Sequence, residues 1–130
     1  MQLRVVTPTA LLVDEEVSEI TAPGVVGEFG VLPGHVTFLG GLDVGVLRYR
    51  SADGSEKCLV IDGGYAEVRD DLVMILADDA LAPGDLDAAA ERAELAKLEA
   101  DAAAGGDGPE AVDSMLRAVK RAQARVAVTG

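Results

Sequence analysis

Aromatic side chains make up only 3% of the 130 residues, and tryptophan is absent. A core must therefore be assembled from Val, Leu, Ile and Ala, and nucleic-acid modes that stack bases on aromatic platforms are disfavoured. The chain has one cysteine, Cys58, and one histidine, His35. No internal disulfide can form, and there is no His- or Cys-rich metal site of the usual spacing. Cys58, in a strand-like run, reads as a small hydrophobe compatible with a reducing compartment. Basic residues are also scarce: 11 Lys and Arg against 23 Asp and Glu give a formal net charge of −12. That balance argues against nucleic acid and anionic membranes as direct partners and leaves a basic protein partner open. No apolar span of about 20 residues exists, so direct membrane insertion is not expected. The strand pattern begins almost at once, so no signal or transit peptide is expected either.

Catalytic constellations are missing as well. The glycines spell neither a GxGxxG fingerprint nor a phosphate loop, since no Lys-Ser or Lys-Thr follows them. Carboxylate pairs such as Asp14-Glu15, Asp70-Asp71 and Asp78-Asp79 fall in expected turns and read as solvated turn residues. The chain is expected to be a non-enzyme with no cofactor.

What the sequence has in abundance is glycine, and seven of the 15 lie between Thr21 and Gly45, in TAPGVVGEFGVLPGHVTFLGGLDVG. Gly27, Gly30 and Gly34 punctuate an apolar run too short for a helix, so the backbone turns repeatedly between brief extended pieces. Its few polar residues, chiefly Glu28, His35 and Asp43, sit where the backbone is least regular and binding groups tend to be held.

Elsewhere the pattern is of short strands. Residues 2–6, 9–13 and 17–22 are strand candidates separated by Thr7-Pro8 and by an acidic turn, Asp14-Glu15-Glu16. Brief pieces follow near 25–26, 30–32, 37–39 and 43–46. Val46–Arg50 and Glu56–Ile61 flank a hairpin at Asp53-Gly54. Asp62-Gly63-Gly64 reads as another turn, Tyr65–Arg69 and Leu72–Ala77 as the closing strands. Strands at this spacing predict an antiparallel sandwich or barrel.

The grammar changes at Ala82-Pro83-Gly84, dividing a β-domain of residues 1–84 from a helical hairpin of residues 85–130. Asp85 is placed to N-cap a helix of about twenty residues ending near Ala104, about 30 Å long. Pro109 opens a second helix running to about Val126. Val112, Met115, Leu116, Val119, Ala122 and Val126 mark its apolar face. Arg117, Lys120, Arg121 and Arg125 occupy much of the rest. The first helix offers mainly alanine to its partner, so docking of the hairpin is expected to be weak.

The central GEFGVLPGH (Gly27 to His35), followed by Leu42-Asp43-Val44-Gly45, resembles the signature of the epsilon subunit of bacterial F-type ATP synthases. The opening QLRVVTPTALLVDEEVSEITAPGVVGEFG, the IDGGYAEVRDDLVMILAD block and the LDAAAERAELAKLEA and LRAVKRAQARV helices resemble the same family in the same order, covering essentially the whole chain. The resemblance implies a flattened sandwich of about ten short strands followed by a two-helix hairpin. It also implies a non-catalytic rotor subunit that clasps gamma, rests on the c-subunit ring and helps pass proton-driven rotation to the alpha/beta hexamer. The implied location is peripheral, on the cytoplasmic face of a bacterial membrane. The rival reading is a free-standing β-sandwich module whose hairpin recognises a small ligand or soluble protein.

On the same resemblance, Glu28 and His35 match motif positions facing the c ring, with Phe29 and Val31 supplying apolar contact. Glu28 read without the motif is an exposed turn glutamate, and His35 is equally a residue that fixes its loop. Arg117, Lys120, Arg121 and Arg125 suit an acidic segment of the beta subunit, through which the hairpin would impede ATP hydrolysis; the plain alternative is a solvated basic face. No short motif marks the gamma contact, and Gly63-Gly64-Tyr65 reads as scaffold.

Some family members bind ATP on the folded hairpin through an Ile/Leu-Asp-x-x-Arg-Ala motif, for which Arg92 is the candidate. Here Leu86-Asp87 is followed by four residues before Arg92-Ala93. Asp and Arg three apart share a helix face, whereas five apart they diverge by about 140°. The isolated chain is therefore expected to bind ATP weakly or not at all. Calorimetry that finds micromolar affinity, lost in Arg92→Ala, would overturn this expectation.

Overall fold

The computed structural model describes residues 1–34, 37–105 and 108–129. Among these, seven strands precede two helices: β1 (Gln2–Val6), β2 (Leu11–Gly24), β3 (Gly27–Val31), β4 (Phe38–Ser51), β5 (Glu56–Arg69), β6 (Leu72–Ala77), β7 (Ala80–Leu81), α1 (Ala88–Ala103) and α2 (Pro109–Thr129). The expected sandwich followed by a helical pair is present, but built from fewer and longer strands. β2, β4 and β5 each run 14 residues and bend from one layer into the other.

Two expected turns are interior to these long strands. Asp14, Glu15 and Glu16 lie within β2, opposite Arg4, Leu3 and Gln2 of β1. Asp14 accepts from Gln2 Nε2 at 2.6 Å and Arg4 Nε at 3.2 Å, and Glu15 meets Lys57 Nζ at 3.2 Å. Cross-strand partners, rather than water in a turn, absorb the acidic run. Asp62-Gly63-Gly64 likewise bends β5 without ending it. Gly63 and Gly64 take φ of +80° and +130°, and a Cβ on Gly64 would lie 2.0 Å from the Leu76 carbonyl oxygen. The bend is fastened by Asp62 N donating to Asp79 O at 3.0 Å and Asp78 N donating to Gly63 O at 3.1 Å. On either side of it β5 keeps β4 as one neighbour and exchanges β7 for β6 as the other. Val25-Val26, expected as extended, form the β2–β3 turn.

The strand order is β1-β6-β5-β4-β2-β3, and β1 also pairs with β2, closing a flattened ring. The β1–β6 pairing is parallel, a departure from the purely antiparallel expectation. Almost the whole β-domain separates β1 from β6, so no hairpin imposes the antiparallel sense. Inside the ring lies an aliphatic core centred on Leu3, Val5, Ile20, Leu47, Ile61 and Ile75. A second, smaller apolar patch lies outside it, where Val44 and Val60 are buried alongside Ala122 and Ala124 of α2.

The helices also differ in detail from expectation. Asp87, not Asp85, caps α1: its Oδ1 accepts from Ala89 N at 2.9 Å and Ala90 N at 3.2 Å. Asp85 belongs to a 3₁₀ turn, Pro83–Asp85, where its carboxylate accepts from Ala82 N. Pro83 favours that tight turn, which delays α1 and leaves it 16 residues long. Pro109 is the first residue of α2 as expected, and the helix continues to Thr129.

Gly64→Ala is expected to cost about 2–4 kcal/mol, because it adds a side chain where both φ and space forbid it. Chemical denaturation of the full chain will register this as a lowered midpoint.

Candidate functional site

The glycine-rich stretch forms the β2–β3 hairpin and the chain leading into β4. At the hairpin tip Val26 is 99% exposed, with Val25 exposed beside it. Glu28, opposite Pro23 on the neighbouring strand, is exposed, and its carboxylate makes no hydrogen bond or ion pair among the described residues. Alternation then separates the remaining residues assigned to this contact. Phe29 is half-buried, with its ring 5.1 Å from that of Phe38. Val31 is 0% exposed, opposite Ile20 in the core, and presents nothing to a partner. Its expected contact role is thus corrected: in a strand, residues 29 and 31 point inward together. The apolar residues that do face outward are Val25, Val26 and Leu32. Two adjacent valines between glycines were the signal for that tip. His35 lies outside the described residues; next to it, Gly34 N donates to Asp71 Oδ1 at 3.3 Å.

A cleft of about 440 Å³ opens between this hairpin, β4 and α2, lined by Glu28, Asp43, Arg48, Lys120 and Gln123 among others. Here the expected basic face of α2 divides. Lys120 donates from Nζ to the Asp43 carboxylate. Arg121 pairs with Asp62, with Nε 2.8 Å from Oδ2 and Nη2 donating to Oδ1 at 3.2 Å. The shorter approach is an ion pair poorly aligned for hydrogen bonding, and Nη2 makes the aligned bond. Arg117 stays exposed, while Arg125 is half-buried with an Nε that has no hydrogen-bond partner among the described residues. Half of the expected solvated basic face is thus engaged by the sandwich. The Lys120 hydrogen bond is the main cause holding the Asp43 carboxyl below its ordinary value. Burial opposes it as the next largest effect, and the Val44 N–H and the positive charges of Lys120 and Arg117 add smaller contributions in the lowering direction.

On the opposite side of the sandwich, Gly41, Tyr65, Leu76, Val6 and Leu11 align in one row across β4, β5, β6, β1 and β2. Tyr65 is 61% exposed and Leu39, diagonal to it, 71%; Leu76 and Leu11 are exposed as well. Sequence reasoning missed this stripe and took Tyr65 as scaffold. Its signal was β6, LVMILA, which has no polar residue on either face although only Val73, Ile75 and Ala77 are buried.

Arg92 is exposed on α1, and the Asp87 carboxylate is occupied with capping that helix. The two do not form a pair.

Residues 1–83 match the family model described as the ATP synthase, Delta/Epsilon chain, beta-sandwich domain. The chain belongs to this family. It is 42% identical over 122 residues to the ATP synthase epsilon chain of Desulforapulum autotrophicum, covering 92% of this chain and 90% of that one. Against ATP synthase epsilon chain 2 of Syntrophotalea carbinolica it is 39% identical over 131 residues, covering 100% and 94%. In three dimensions it resembles a chain of the Euglena gracilis mitochondrial ATP synthase, seen in a structure of OSCP, F1 and c-ring. That match has a TM-score of 0.81 and 25% identity over 93% of this chain and 76% of that one. As an epsilon-family chain it is a stalk subunit of the synthase, peripheral in F1, and not the catalytic one. Among its described residues no helix is long and apolar enough to cross a membrane. Full-length similarity of this kind disfavours the free-standing module.

A carboxyl whose folded value is depressed stabilises the fold above its unfolded pKa and loses that contribution as pH falls through the folded one. NMR titration should therefore place the Asp43 midpoint below about 3.9, the value for a free aspartate. Lys120→Met should return it toward that value without moving the midpoint of Asp14, whose partners are Gln2 and Arg4.

Proposed function

We propose that this epsilon-family chain works as a rotor element on the cytoplasmic face of a bacterial membrane, passing rotation between the c ring and gamma during ATP synthesis. In this reading residues 1–84 form the coupling unit and residues 85–130 a regulatory hairpin. The β2–β3 end meets the ring, with Val25 and Val26 giving apolar contact and the exposed Glu28 carboxylate accepting hydrogen bonds from polar or basic loops. The row Tyr65–Leu76–Val6–Leu11, exposed except at the half-buried Val6, is with Leu39 the gamma dock. The helical hairpin, through Arg117 and the cations beside it, approaches the beta subunit to restrain hydrolysis.

The observation that carries this reading is the apolar row. It is left uncovered by the helices, and covering such side chains gains about 1.5–3 kcal/mol for each one fully buried. The row runs across five strands that are rigidly hydrogen-bonded to one another, which suits a surface that must bear torque.

The test is co-purification. Tyr65→Asp combined with Leu76→Asp should reduce recovery of gamma at least about tenfold, since two buried charges oppose the interface, while the isolated variant unfolds at the temperature of the parent. Undiminished recovery of gamma would show that the row is not the dock.

A further inference from the structure

Little apolar surface holds the hairpin to the sandwich. α1 buries no residue, and the buried side chains of α2 are two alanines, Ala122 and Ala124. The patch that they cover is small and separate from the main core, with Val44 and Val60 as its sheet side. The first half of α2 carries exposed Val112 and Leu116 and, among the described residues, gives no ion pair to the sheet.

At the edge of this patch stand two acids on adjacent strands. Asp62 of β5 is the register partner of Val44 in β4, and Asp43 immediately precedes Val44. Consecutive residues of α2 meet them: Lys120 takes Asp43 and Arg121 takes Asp62. The chain carries a net charge of −12, so two neighbouring carboxylates on its surface repel each other unless cations stand between them. We infer that Asp43 and Asp62 are a two-pronged electrostatic latch for the hairpin, released by salt or by any acidic surface that takes Lys120 and Arg121 from them. Release is an exchange of anionic partners. The same two cations cannot face the sandwich and another acidic surface at once, so a contact between α2 and an acidic partner requires the latch to open first. Both pairs are partly exposed to solvent, which makes them sensitive to screening. The latch is a property of the chain by itself, whichever surfaces meet the ring and gamma.

Thiol labelling of the full chain tests it. Val44 is 2% exposed beneath α2, so in a Cys58→Ser, Val44→Cys background the reagent reaches residue 44 only when the hairpin lifts. Labelling in this background should accelerate severalfold between about 50 mM and 1 M salt, as the Debye length shrinks. Adding Asp43→Asn and Asp62→Asn should raise the low-salt rate at least about tenfold and remove most of its salt dependence, because neutral partners leave nothing to screen. The exchange Asp62→Arg with Arg121→Asp should bring the rate back toward that of the background, which a merely structural role for Asp62 does not predict. A rate indifferent to salt in the background, or unchanged by the asparagines, would overturn the latch. The salt series needs no latch substitution, so it decides the matter even if the double asparagine variant folds poorly.

Discussion

β1 pairs on both of its edges, and that double pairing shapes every other surface of the molecule. One five-residue strand lies between β2 and β6, hydrogen-bonded antiparallel to one and parallel to the other, and it converts an open meander into a closed ring. Closure removes most free strand edges, so the molecule offers partners its faces and loop tips. It also fixes which side chains of the long strands point inward, and therefore which are left outside. Alternate residues of β4 and β5 diverge to two outer faces, one covered by α2 and the other bare.

These two faces differ in the physics of what they hold. Under α2 the sheet presents two valines edged by two carboxylates, a combination that binds a helix reversibly. The opposite face presents an aliphatic and aromatic row left exposed by the described residues, a combination that favours a lasting interface. The division suits a stalk subunit, which needs one lasting attachment within the complex. The bend at Gly63-Gly64 links them, since it carries β5 from the layer bearing Asp62 to the layer bearing Tyr65.

Much of the fold was legible because its signals are local. Asp53-Gly54 closes a hairpin, Pro109 starts α2, and the grammar changes after Pro83. Local signals misled where a distant strand supplied the partner. Asp14-Glu15-Glu16 reads as a turn by composition, yet Arg4, Lys57 and their neighbours hold it extended. Asp85 has the chemistry of a cap, but Pro83 winds it into a tight turn and passes the role to Asp87. In the candidate site, Glu28 was legible from the motif as an exposed acid. Val31 was misjudged because facing depends on strand register, which the sequence around it does not specify.

Residue type and spacing along the chain were enough to specify the family, a mainly aliphatic core and the division between strands and helices, because each is a local property of the chain. Folding in three dimensions was needed to tie Lys120 and Arg121 to Asp43 and Asp62, to place Val31 in the core, and to bring Tyr65, Leu76 and Leu11 into one exposed row. Those facts join residues that lie tens of positions apart in sequence. Their proximity arises from ring closure and strand register, which are properties of the whole fold.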